Sequence, residues 1–156
     1  MNTVRSTDGT TIAYTRAGQG PALILVDGAL CSRSFGPMPK LAAQLTPHFT
    51  VYTYDRRGRG ASGDTPPYAV GREVDDIEAL VELAGDGETV LVHGTSSGAA
   101  LALEAAKRIP AIASGEKFAD SAFSISVWRN TPPWPAPVIA SRTPEANFAT
   151  NTPTIA

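Results

Sequence analysis

The sequence predicts an α/β fold in which a mostly parallel sheet is flanked by helices, and three observations predict it. Segments of strand length, apolar or β-branched and aromatic, recur at 22–26, 50–54 and 89–92. Helix-period segments follow the second and third of them, and a glycine turn signal near the start joins two short strand-like stretches.

The opening stretch places Val4-Arg5-Ser6 and Thr11-Ile12-Ala13-Tyr14 on either side of Asp8-Gly9. Glycine accepts the positive φ that a tight hairpin turn requires, so these segments form a hairpin. Residues 22–26 are uninterrupted apolar sequence, as expected of a strand buried on both faces. Residues 50–54, Thr-Val-Tyr-Thr-Tyr, are β-branched or aromatic throughout, and 89–92 form a third buried candidate. After the second strand, Val74, Ile77, Leu80, Val81 and Ala84 recur at helical spacing, with Glu73, Asp75, Asp76, Glu78 and Glu82 elsewhere. That pattern predicts an amphipathic helix with a solvated acidic face. A further helix covers 97–108 and stops before Pro110. The hairpin is thus followed by the order β-α-β-α-β-α.

Beyond Pro110 charge thins out, and Pro132-Pro133-Trp134-Pro135-Ala136-Pro137 can join neither a helix nor a central strand. We therefore expect a partial α/β domain over 1–110 and a divergent, weakly ordered tail over 111–156. Within the tail, alternation at 123–128 predicts one short strand.

Composition narrows the function. With 156 residues, 42% hydrophobic content and a net charge of −2, the chain offers no basic surface for nucleic acid or anionic membrane. No apolar stretch has the length of a spanning helix or a signal segment. The single cysteine, Cys31, cannot form an internal disulfide, so the expectation is a cytoplasmic protein.

The informative segment is Gly94-Thr95-Ser96-Ser97-Gly98, a G-x-S-x-G pattern between a buried strand and a helix. A serine at the tip of a sharp strand-to-helix turn sits in strained backbone. Its neighbours two positions either side must lack side chains so that strand and helix can approach. Gly94 and Gly98 meet that demand, and Ala99 and Ala100 continue it. The turn aims the first amides of the helix at the place where an oxyanion would form.

Two more segments occur in order. Val26-Asp27-Gly28-Ala29-Leu30 follows the first buried strand, and Asp55-Arg56-Arg57-Gly58-Arg59-Gly60-Ala61-Ser62 follows the second. With the serine turn, these resemble the oxyanion loop, the D-x-R-G-x-G-x-S loop and the nucleophile turn of the α/β-hydrolase superfamily, over about residues 1–108. The resemblance implies an incomplete α/β-hydrolase fold, its N-terminal half. It implies Ser96 as nucleophile, with the amides of Ala29 (Leu30 being the alternative) and Ser97 as oxyanion donors. Asp27 stands where the family often has histidine, which leaves the backbone role intact.

Gly58-Arg59-Gly60-Ala61-Ser62-Gly63 also satisfies the dinucleotide pattern G-x-G-x-x-G. That motif needs a helix to begin inside it, whereas Asp64-Thr65-Pro66-Pro67 follows here. No cofactor is expected, and no cluster has metal-ligand spacing.

The nucleophile needs a base, and the sequence holds two histidines. His48 precedes the second strand and so sits at the end opposite the serine, roughly 17–20 Å away for a strand of five or six residues. His93, in the strand before Gly94, is expected to be a packed strand residue. The tail offers the acid Asp120 but no histidine. Cys31 is expected to be an inert buried thiol. The resulting expectation is a serine hydrolase of ester or similar acyl substrates, acting through a Ser96 acyl-enzyme and poorly active as this chain. The alternatives are a non-catalytic ligand- or partner-binding module, or a truncated or frame-changed hydrolase product. Expected partners are a small acyl substrate or ligand, with self-association through the exposed 89–92 strand edge.

Overall fold

The computed structural model describes residues 1–112, 116–117 and 124–127. Asp120 and the proline-rich stretch 132–137 lie outside the described residues, as do Phe123 and Trp128.

The hairpin forms as its turn signal dictates. Strands β1 (Asn2–Arg5) and β2 (Thr11–Ala17) pair antiparallel with Val4 opposite Ile12, and Gly9 takes φ 83°. The chain continues through β3 (Ala22–Val26), α1 (Met38–Leu45), β4 (Thr50–Tyr54), α2 (Val70–Gly85), β5 (Leu91–Thr95) and α3 (Ser97–Arg108). Two short strands, β6 (Glu116–Lys117) and β7 (Ser124–Val127), follow. The sheet order is β1-β2-β4-β3-β5-β7-β6. Its centre, β4-β3-β5, is parallel; the hairpin on one side and β7-β6 on the other are antiparallel, so the whole sheet is mixed.

Alternation along β3 explains why its run is wholly apolar. Leu23 and Leu25 pack with Met38 and Val51 on the α1 face, while Ile24 and Val26 join Ile77, Leu80, Leu101 and Ala105 on the α2–α3 face. Each fully buried aliphatic side chain of this kind contributes about 1.5–3 kcal/mol. The predicted strand at 123–128 appears as β7, which pairs antiparallel with β5 through Val92↔Val127 and Thr95↔Ser124. It therefore lies along the side of β5 from which self-association was expected.

The structure departs from expectation at three places. Helix α1 had no assigned residues, because Pro37, Pro39 and only eight helical positions leave no clear period. Strand β5 is displaced toward the serine: Thr89 is exposed, Val90 bridges to Ile112, and beyond His93, a strand residue as expected, Gly94 and Thr95 continue the ladder. The acidic face of α2 is not solvated throughout, since Glu73 and Asp76 are 2% and 1% exposed. Both are buried because Arg56 and Arg57, consecutive at the end of β4, each meet one of them in a two-point contact.

Arg57 donates through Nε and Nη2 to Asp76 at 2.8 and 2.7 Å, and through Nη1 to Asp8 at 2.9 Å. It thus ties the hairpin turn to α2 from a side chain that is 1% exposed. Removing one member of a buried pair strands the other charge. Arg57→Met is expected to cost about 3–5 kcal/mol. Lys107→Ala, which removes the exposed Lys107–Glu104 pair, should stay within about 0.5 kcal/mol. Urea denaturation with unchanged slopes checks both.

Candidate active site

The sheet order sets the location. From β3 the chain moves by way of α1 to β4 on one side, then by way of α2 to β5 on the other, with the two helices on opposite faces. The carboxyl ends of β3 and β5 therefore flank a topological switch point, where parallel sheets leave a crevice. Asp27 follows β3 there, Ser96 follows β5, and the register pairs Val26 with Gly94.

Ser96 occupies the crest between β5 and α3 with φ 53° and ψ −127°, a backbone that residues other than glycine rarely adopt, and it is exposed. The two flanking glycines explain how the turn closes. A Cβ on Gly98 would run into the carbonyl oxygens of Val26 and Asp27, the latter at 2.6 Å. A Cβ on Gly94 would meet Gly98 and stand 2.7 Å from the Ala99 Cα. Helix α3 thus begins directly against the end of β3. A Cβ on Gly28 would lie 3.5 Å from Ser96 Cβ, so the 27–30 loop borders the serine. Ala29 and Leu30 are exposed beside it, and Ser97 opens the helix. The three residues that sequence reading singled out, Ser96, Ala29 and Ser97, therefore lie on two segments that the fold brings together.

The D-x-R-G-x-G-x-S segment secures this end of the sheet. Asp55 accepts from the amides of Arg33 (2.7 Å) and Ala61 (2.9 Å) and from Arg33 Nε (2.9 Å). Ser62 Oγ donates to the Asp55 carbonyl and accepts from the Ala13 amide. No helix starts within the glycines; α2 begins only at Val70. Arg56, to which sequence reading gave no role at the site, reaches the serine turn, and Glu73 holds it from behind. Arg56 Nη1 donates to Ser97 Oγ at 3.0 Å and to the Asp27 carbonyl at 3.2 Å. The available signal was the pair of adjacent arginines at a strand end, ahead of a helix with acids three residues apart.

Electrostatics favour the charged forms of Asp55, Glu73 and Asp8, whereas burial outweighs Arg57 at Asp76 and leaves that carboxyl above its ordinary value. Burial pushes the Asp55 carboxyl up, but hydrogen bonds from Ala61 and Arg33 outweigh it and leave it below its ordinary value. Glu73 behaves likewise, with Arg56 overcoming burial. Asp8 is held well below the carboxylate range by Arg57 and then by Thr10. The Cys31 thiol is pushed up by burial and by the Asp27 carboxylate beside it, the opposite of what a thiolate nucleophile needs. The thiol is half-buried rather than fully buried.

His48 is exposed just before β4, at the end of the sheet away from Ser96. His93 is half-buried on β5, in register with Leu25 and Ser126 and on the same face as Leu91. Burial lowers its pKa and so favours the neutral ring. Among the described residues, no helix is long and apolar enough to cross a membrane.

A family model described as the alpha/beta hydrolase family matches residues 20–154. The chain belongs to the alpha/beta hydrolase family. It is 38% identical over 97 residues to a pimeloyl-[acyl-carrier protein] methyl ester esterase of Xylella fastidiosa strain M12, covering 61% of this chain and 34% of that protein. Among solved structures it resembles an alpha/beta hydrolase from Sphaerobacter thermophilus, with 57% identity, a TM-score of 0.62, and coverage of 67% of this chain and 39% of that one. A thermophilic esterase from Thermogutta terrifontis is 27% identical with a TM-score of 0.60, over 69% of this chain and 40% of that one. The chain thus spans about a third of the length of the curated relatives it matches. The fold of this alpha/beta hydrolase chain is the family's, over the parallel centre and its flanking helices.

Two outcomes follow from the site's construction. Gly98→Ala must displace backbone rather than a side chain, so it is expected to cost at least about 1–3 kcal/mol, read as a lower urea midpoint. Asp8, Asp55 and Glu73 have folded pKa values below their unfolded ones, so the unfolded chain binds protons first as pH falls. Because burial also lowers the folded pKa of His93, stability should begin to fall just below neutrality as the unfolded imidazole takes up a proton. It should fall further below about pH 5 as the unfolded carboxylates do, with Asp76, whose folded pKa is raised by burial, opposing part of that decline. Asp55→Asn should lower the stability at neutrality and make the decline below about pH 5 shallower, as measured by denaturant titration across pH.

Proposed function

We propose that residues 1–110 carry the nucleophile side of a serine hydrolase acting on esters or similar acyl compounds, with Ser96 as the attacking group. The observation that carries this reading is the positive φ of Ser96 at a strand-to-helix crest bordered by the Gly28 loop. Ser96 Oγ adds to the acyl carbonyl while a base takes its proton, and the negative oxygen rests on the amides of Ala29 and Ser97. The carbonyl re-forms as the alcohol leaves with that proton. Water then cleaves the acyl-enzyme, releasing the acid and restoring the hydroxyl. Relatives named as esterases support the ester class.

The base is a histidine supplied by sequence other than these 156 residues, because His48 stands at the wrong end of the sheet and His93 is packed within its strand. Lacking it, the hydroxyl loses roughly four to six orders of magnitude of reactivity while keeping the oxyanion contribution. A fluorophosphonate probe with added imidazole as a surrogate base tests this. The expected result is one label per chain at Ser96, formed faster as imidazole rises and abolished in Ser96→Ala. Folded protein that stays unlabelled at every imidazole concentration would count against Ser96 as a nucleophile and overturn the hydrolase reading.

A further inference from the structure

Arg56 touches both segments on which the proposed oxyanion donors sit. Its Nε and Nη2 form a two-point contact with Glu73 at 2.6 and 2.7 Å, and the two side chains are 5% and 3% exposed. Tyr68 Oη donates to the same carboxylate at 2.9 Å. The guanidinium plane is thereby fixed, and one nitrogen remains. That nitrogen, Nη1, spans the Asp27 carbonyl at 3.2 Å and Ser97 Oγ at 3.0 Å. Asp27 lies two residues before Ala29, and Ser97 bears the other donor amide.

The distance between two donors on different elements depends on the packing of α3 on β3 and on whatever holds the loop after β3 against the start of α3. An oxyanion site is sensitive to that distance, because its benefit depends on donors already aimed at the developing charge. A planar, five-donor group can hold a carboxylate, a carbonyl and a hydroxyl at once. An ammonium on a flexible stem cannot. We propose that Arg56, oriented by Glu73, is a positioning residue that sets the separation of the Ala29 and Ser97 amides. This proposal rests on the serine-hydrolase reading above.

The test compares Arg56→Lys with Arg57→Lys in the full chain. Arg57 is in an equally buried ion pair, yet its partners Asp8, Asp76, Ser6 and the Arg72 carbonyl lie on neither donor segment. Two quantities are read: the imidazole-dependent rate of Ser96 labelling per folded chain, and the backbone amide resonances of Gly28, Ala29 and Ser97. Arg56→Lys should label on the order of tenfold to a hundredfold more slowly and move those resonances. Arg57→Lys should lose stability but label at the wild-type rate. Should Arg56→Lys not fold, Glu73→Gln replaces it, keeping the shape while loosening the arginine, and should give a smaller change of the same sign. Labelling at the wild-type rate with unmoved resonances in the folded Arg56 or Glu73 variant overturns the proposal alone. So does equal slowing in Arg57→Lys, which would mark a general loss of stability. A wild-type chain that never labels overturns the hydrolase reading and this proposal together.

Discussion

At Gly94 and Gly98, the start of helix α3 approaches strand β5 and the end of β3 so closely that a single methyl group on either glycine would meet backbone atoms. The candidate site depends on that contact. A chain leaving a buried strand must turn sharply to start a helix on the same sheet, and the residue at the crest absorbs the turn as a positive φ. Without side chains at the two flanking positions the helix start can press on the carbonyls of Val26 and Asp27. That pressure brings the loop after β3 alongside Ser96. The strain at residue 96 persists because packing on both sides over-determines it.

A second constraint is electrostatic. Two consecutive arginines leave β4 and reach two acids one turn apart on α2, but they serve different ends of the molecule. Arg57 points toward the hairpin, where Asp8 and Asp76 share it. Arg56 points toward the crevice, where Glu73 fixes it and the Asp27 carbonyl and Ser97 hydroxyl accept from it. Buried charges of this kind are costly when unpaired and roughly break even when fully paired. They therefore specify the placement of α2 over the sheet more than they add to its stability. Hydrophobic burial through Ile77, Leu80 and Val81 supplies the adhesion, and the ion pairs select the register.

Elements whose signal is local were legible in the sequence. The hairpin, β3, β4 and α3 were readable because turn glycine, β-branched runs and a following proline act over a few residues. The serine turn was legible because its steric demand falls on residues 94 and 98 alone. What escaped was non-local. The burial of Glu73 and Asp76 depends on arginines 17 and 19 residues earlier in the chain, and a helical period cannot distinguish a solvated acid from a paired one. His93 lies in β5 as its sequence position predicts, whereas the strand's continuation through Gly94 and Thr95 escaped because glycine has poor strand propensity and is held in the ladder by β3. Helix α1 belongs to the predicted element order but had no residue bounds for a related reason, its few residues being fixed by packing on Leu23, Leu25 and Val51 rather than by their own pattern.

On the proposed reading, the parts of the reaction divide along the chain in a physically sensible way. Attack and oxyanion stabilisation need groups held to fractions of an ångström, and these come from turns tied to a parallel sheet within residues 27–98. Proton transfer needs an imidazole that can approach, donate and withdraw, which is compatible with delivery from elsewhere. The first requirement is met by backbone packing that substitution cannot easily imitate. The second is chemistry that a small diffusible base can supply in part. A chain of this construction should therefore behave as a preorganised acceptor for an acyl group whose turnover depends on the base reaching Ser96. Its residual reactivity would report on the turn itself, independent of the rest of a catalytic triad.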